Sequence, residues 1–116
     1  MAYLKEFSGH ILLTIDGDYI KEFSGRIRYK INGNKVCDFG GRILFVLEND
    51  RIKDFGGRTL LFVTQNEVKE FSYKVIARFD NRYIKDFSCR ILYQLDGFRS
   101  RTQLLALIAI MFAVNS

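Results

Sequence analysis

Residues 19–34 read YIKEFSGRIRYKINGN and residues 35–50 read KVCDFGGRILFVLEND, so that two consecutive stretches of sixteen carry the same features in the same places. The period extends outward in both directions without slipping. Phe7, Phe23, Phe39, Phe55, Phe71 and Phe87 mark six copies, each preceded by an acid: Glu6, Glu22, Asp38, Asp54, Glu70 and Asp86. Gly9, Gly25, Gly41 and Gly57 follow two residues after the phenylalanine, and Tyr73 and Cys89 replace them in the last two copies. A repeat of this kind builds a fold from one supersecondary unit that buries its apolar face only against its neighbours.

Sixteen residues are too few for two helices and a turn. Within each copy the apolar residues alternate with period two, as in Ile27, Tyr29, Ile31 and in Ile43, Phe45, Leu47, which is strand periodicity. Each copy also holds two turn signals, Ser-Gly or Gly-Gly in its middle and Asp-Gly, Asn-Gly, Glu-Asn or Asp-Asn near its end, of the kind that close hairpins. One copy is therefore one β-hairpin, and six copies over residues 3–98 predict about twelve antiparallel strands closed into a barrel.

Taking Ser24-Gly25 and Asn32-Gly33 as two-residue loops sets Tyr29 opposite Ile20 on one side and Val36 on the other. Propagated through the repeat, this register aligns Leu4, Leu13, Ile20, Tyr29, Val36, Phe45, Ile52, Leu61, Val68, Ala77, Ile84 and Tyr93. A girdle with one apolar residue per strand identifies the inner face. The same count leaves the strands without stagger, which a closed barrel requires. A β-bulge or three-residue loop at each Glu-Phe-Ser-Gly is expected to supply it and to turn the phenylalanines inward.

The tail, SRTQLLALIAIMFAVNS at 100–116, breaks the period. Ser100 with Gln103 forms a capping box, and Leu104 to Val114 are apolar without interruption, which predicts a helix over about 101–114 in a segment 100–115. Apolar on every side, it must be enclosed on every side. A twelve-stranded barrel is too wide to be filled by its own side chains, and a helix of this length matches its height. Eleven apolar residues fall short of the roughly twenty of a membrane span.

Six copies of the IKEFSGRILY type followed by LLALIAIMFAV at 104–114 resemble the tubby C-terminal fold and its relatives, the LURP-one-like and phospholipid-scramblase-like proteins. The resemblance implies twelve antiparallel strands closed around a hydrophobic helix near the end of the chain. The hairpin repeat is also similar to small bacterial β-flower proteins, in which short repeats stand as radial petals around an axis.

At 116 residues the whole chain, 1–116, is expected to be one domain with a self-sufficient core. No secretory signal is apparent at MAYLKEFSGHILL, so a cytoplasmic location, peripheral to a membrane if anything, is the expectation. Cys37 and Cys89 occupy different repeat positions, and no metal-ligand spacing or cofactor motif accompanies them. The single histidine, His10, fills a slot occupied elsewhere by a base and has no partner for nucleophilic catalysis, so no enzyme is expected.

Two surfaces remain as candidates for function. Arg26, Arg42, Arg58, Lys74 and Arg90, with His10, flank equivalent turns and would crown one rim, with Arg99 and Arg101 beside the helix start adding charge. The net charge is +5, and such a crown suits the phosphates of lipid headgroups or another phosphate-bearing ligand. The acidic slot one step away is expected to pair with the crown and the neighbouring lysines. Nucleic acid is the weaker anionic partner, because the aromatics are expected in the core, Tyr3, Tyr19 and Tyr83 apart. The second surface is a self-association patch over residues 43–63, from the outward apolar pairs Leu44 with Val46 and Leu60 with Phe62.

Overall fold

The computed structural model describes residues 1–98 and 100–113. Six hairpins follow one another: β1 (Ala2–Glu6) with β2 (Ile11–Asp16), β3 (Tyr19–Glu22) with β4 (Ile27–Asn32), and β5 (Lys35–Asp38) with β6 (Ile43–Glu48). They continue as β7 (Arg51–Asp54) with β8 (Thr59–Val63), β9 (Glu67–Glu70) with β10 (Val75–Phe79), and β11 (Tyr83–Asp86) with β12 (Ile91–Asp96). Every strand pairs antiparallel with its chain neighbours, and β12 pairs with β1, so the sheet is a closed barrel. Closure removes the open edges that a row of hairpins would otherwise present. The molecule measures 36 × 34 × 23 Å, two nearly equal breadths and one short axis, as six repeats around that axis demand.

The hairpin tips are three-residue loops. Gly9 N–H donates to the Glu6 carbonyl at 2.9 Å and Glu6 N–H donates to the His10 carbonyl at 2.8 Å, leaving Phe7, Ser8 and Gly9 outside the ladder. This is a turn followed by one left-handed residue, the usual three-residue hairpin. Gly9, Gly25, Gly41 and Gly57 hold that residue at φ 89–95°, and Tyr73 and Cys89 hold it at φ 70° and 71°. Beyond each loop comes a separate bulge: Lys5 faces Ile11 but Leu4 faces Leu13, so Leu12 is supernumerary. Arg28, Leu44, Leu60, Ile76 and Leu92 are the equivalent extra residues.

These two devices overturn the expected placement of the phenylalanines. All six stand outside, 69–79% exposed. Each sits at the apex of its loop, past the last ladder pair, where the barrel has no interior to receive it. The bulge re-aims the residue five positions later instead. Leu12, Leu44, Leu60 and Ile76 thereby pack against the core.

At the opposite rim the loops are Gly17-Asp18 and Gly33-Asn34, one residue later than the Asn32-Gly33 reading, and Val36 faces Ile31 rather than Tyr29. Gly33 takes φ 63° as the first loop residue, where a two-residue turn with glycine leading places it. Moving a loop by one residue moves the pairing by two. Ile20 faces Tyr29 and Tyr29 faces Asp38, two residues past the repeat equivalent of Ile20. The ladder therefore climbs two residues per repeat and twelve around the ring, the stagger that lets a barrel close with tilted strands.

The inner face is the expected one. Leu4, Ile20, Val36, Ile52, Val68 and Ile84, one from each odd strand, have no exposed surface. Through them runs α1 (Arg101–Ile108), which continues as a π-helical turn, Ala109–Ala113, thirteen residues in all. Residues 114–116, where the expected helix ends, lie outside the described residues. Leu105 to Ile110 and Ala113 are buried, and no buried polar residue occurs among the described residues. At about 1.5 Å per residue the helix is about 20 Å long, close to the 23 Å short axis.

Gly97, at φ 81°, turns β12 toward the helix, and a Cβ there would lie 2.7 Å from the Met1 carbonyl oxygen. The Ser100 Oγ accepts from Gln103 N–H at 3.3 Å, half of the capping box. The Gln103 side chain also reaches the barrel: its Nε2 donates to the Gly17 carbonyl at 3.1 Å and fastens the helix to the rim of two-residue loops.

Candidate functional site: the rim of hairpin tips

Because consecutive strands run in opposite directions, all six three-residue loops gather at one end of the barrel, and the helix enters from the other. Each tip presents the same series of acid, phenylalanine, small residue, left-handed residue and base. In the aspartate copies the acid serves the turn. Asp38 Oδ1 accepts from Arg42 N–H at 2.9 Å, and Asp54 Oδ1 accepts from Arg58 N–H at 2.9 Å. Asp86 Oδ1 accepts from Arg90 N–H at 3.0 Å and from the Ser88 amide and hydroxyl at 2.9 and 2.6 Å. The Ser88 hydroxyl, followed by the Arg90 amide, holds the Asp86 carboxyl below the usual carboxylate range. Glutamate, one methylene longer, reaches elsewhere: Glu6 and Glu70 accept from the Ser8 and Ser72 hydroxyls, and Glu22 pairs with Arg28 at 2.6 Å.

The expected pairing of acid slot with basic slot is therefore not what forms. The aspartates bind the backbone amides of the basic residues, the glutamates bind serine hydroxyls or Arg28, and neither pairs with the side chains of the basic slot among the described residues. Arg26, Arg42, Arg58, Lys74 and Arg90 are exposed and make no ion pair among the described residues, and His10 is exposed beside them. Several cations on the barrel wall are paired, whereas Lys30, Lys35 and Lys85 there make no ion pair among the described residues. Lys5 pairs with Asp96, Lys21 with Asp16, Lys53 with Glu48, and Lys69 and Arg78 with Glu67. Five cations without an ion pair thus share one rim with the six exposed phenylalanines; the three-residue loop expected at Glu-Phe-Ser-Gly is what forms, and only the inward turn of its phenylalanine is not.

Between neighbouring tips lie grooves that repeat. Arg26, Ile27 and Arg28 of one hairpin face Asp38, Phe39 and Gly40 of the next across about 330 Å³. Arg58, Thr59 and Leu60 face Glu70, Phe71 and Ser72 across about 540 Å³. These are the same repeat positions two copies apart. A third instance brings the His10 ring within 5.9 Å of the Phe23 ring.

Other expected site residues fall elsewhere. Arg101 lies at the opposite rim, where its Nη2 donates to the carbonyls of Asn49, Thr64 and Val63 at 2.9, 3.2 and 3.3 Å, so its hydrogen-bonding is spent on seating the helix. It does not belong to the crown. Arg99 lies outside the described residues. Leu44 and Leu60 are half-buried: each packs against the core and also lines an inter-tip groove. Val46 faces Lys35 and Lys53, and Phe62 stacks on Tyr73 at 4.7 Å with the Arg51 guanidinium 5.5 Å from its centroid. All four self-association candidates are half-buried. Tyr3, Tyr19 and Tyr83 each have a lysine ammonium over the ring, from Lys5, Lys30 and Lys85, at 5.8–6.0 Å.

The six hairpins are hydrogen-bonded to each other all round the ring. No protein-family model matches the chain, and no curated protein or solved structure matches it either.

Proposed function

We propose that the chain is a non-enzymatic binding module whose rim of hairpin tips docks on a surface of anionic lipid headgroups. What supports this reading is one conjunction: six exposed phenylalanines and five exposed, unpaired cations on the same rim. Exposed apolar rings beside cations suit the boundary between headgroups and acyl chains, and a Lys or Arg near an anionic leaflet contributes about 1 kcal/mol. Five such residues give an attraction on the order of 5 kcal/mol before the six turn carboxylates are counted against it. Attachment is peripheral in this reading. Among the described residues no helix is long and apolar enough to cross a membrane, and strands of four to six residues are shorter than the roughly nine to eleven of a spanning strand.

The test is co-sedimentation with vesicles of neutral phosphatidylcholine and of phosphatidylcholine containing phosphatidylserine, at low and high salt. Binding to the anionic vesicles alone, weakened by salt and abolished by replacing Arg26, Arg42 and Arg58 together with glutamine, is the expected result. Equal binding to both vesicles, or to neither, overturns the reading. Concentration-dependent, salt-insensitive oligomers in light scattering would then favour a self-associating structural protein.

A further inference from the structure

The grooves between tips contain more than a phosphate site needs, and this deepens the lipid reading on which it rests. Each of the two open grooves holds a cation (Arg26 or Arg58), a carboxylate (Asp38 or Glu70) and an exposed phenyl ring (Phe39 or Phe71). The cation has no ionic partner among the described residues. The carboxylate spends one oxygen on its own turn, Asp38 Oδ1 on the Arg42 amide and Glu70 Oε1 on the Ser72 hydroxyl, and the other oxygen makes no hydrogen bond among the described residues. A carboxylate offers about four acceptor positions, so both retain capacity to meet a cation.

We infer that the inter-tip grooves are subsites for an aminophospholipid of the phosphatidylserine type, one headgroup per groove. The phosphate meets the guanidinium of Arg26 or Arg58, the headgroup ammonium meets the free oxygen of Asp38 or Glu70, and the glycerol and upper acyl carbons lie against Phe39 or Phe71. The carboxylate is what selects among anionic partners. A nucleic acid brings phosphates and stacking bases but no cation for Asp38 or Glu70, which would repel its backbone. Phosphatidylglycerol brings a phosphate of the same charge and no ammonium. A second copy facing rim to rim would set one crown of unpaired cations against another. Since the groove positions recur in every repeat, one molecule engages several headgroups together, and binding rises more steeply than linearly with the headgroup density.

The experiment compares vesicles of phosphatidylcholine carrying equal mole fractions of phosphatidylserine or phosphatidylglycerol, at one salt concentration, with wild type and with the double variant Asp38→Asn, Glu70→Gln. Both substitutions keep the oxygen that the turn uses, so the fold is preserved, and a thermal melt verifies it. Wild type should prefer phosphatidylserine by about three- to tenfold, the scale of a few exposed ion pairs, and the double variant should bind both lipids alike. Equal wild-type binding to both lipids overturns the aminophospholipid assignment while leaving the rim as an anionic-lipid site. Failure to bind either lipid overturns both. A phosphatidylserine preference that survives in the double variant places the selectivity outside these grooves and also refutes the assignment. Displacement of bound vesicles by a single-stranded oligonucleotide at lower concentration than by phosphatidylserine vesicles would assign the grooves to nucleic acid instead.

Discussion

Cys89 offers a quantitative check on the repeat's geometry. It occupies the left-handed position of the last tip at φ 71°, where the first four copies place glycine at φ 89–95°. For an L-residue that backbone conformation costs about 1–2 kcal/mol, from crowding of Cβ against the carbonyl. Glycine removes that cost but adds freedom to the unfolded chain, an opposing effect of about 0.5–1 kcal/mol. The Cys89 side chain is exposed, so no packing is lost with it. Cys89→Gly should therefore stabilise the protein by about 0.5–1 kcal/mol, a rise of about 2–5 °C in melting temperature for a domain of this size. Thermal and urea unfolding, followed by circular dichroism with reductant present, measure it. Gly41→Ala, which puts a Cβ into the equivalent slot, should lower stability by about 1 kcal/mol. Tyr73→Gly supplies a contrast, because strain relief there is offset by loss of the stack on Phe62, a contact of about 0.5–1.5 kcal/mol. Destabilisation by Cys89→Gly together with a neutral Gly41→Ala would refute the assignment of a strained left-handed residue to each tip.

Removing residues 100–116 takes away the filling of the lumen, and the 1–99 fragment should be insoluble or molten; a soluble fragment with cooperative unfolding would show that the barrel collapses onto its own side chains. Ser100→Ala should cost about 1 kcal/mol in urea denaturation through loss of the acceptor for the Gln103 amide. The Asp86 carboxyl is held below its ordinary value, so the unfolded chain binds a proton at a pH where the folded one does not. Its stabilising contribution is thus complete above the unfolded pKa of about 3.9 and is lost as pH falls through the lower folded value. Ser88→Ala removes the largest cause of that depression, and the midpoint of acid unfolding should move to higher pH; an unchanged midpoint would mean that the Arg90 and Ser88 amides suffice.

Much of the fold is legible in local pattern. Alternation with period two marks the strands and their inner face, and each girdle residue points inward as its repeat position requires. The uninterrupted apolar run after Ser100 marks a helix that must be enclosed. In the girdle the odd-strand positions are uniformly Leu, Ile or Val, while the even-strand positions range from Ala77 to Phe45. The candidate site was less legible. Its cations can be named from the repeat, but their freedom from ion pairs depends on the carboxylates finding other partners, backbone amides for the aspartates and serine hydroxyls or Arg28 for the glutamates, a choice set by loop geometry. The phenylalanines read as core residues in the sequence because a large apolar side chain carries no label for the tip of a turn.

By itself, then, the sequence determined the number of strands, their antiparallel order, the face that is buried and the presence of a central helix, since each follows from periodicity over a few residues. Tertiary structure alone decided the register at Gly33, the bulges that bring Leu12, Leu44, Leu60 and Ile76 inward, and the exposure of the six phenylalanines. The physical reason is that stagger is a property of the ring. Two residues per repeat must accumulate to twelve before β12 meets β1 in register, and no single copy of the repeat contains that condition.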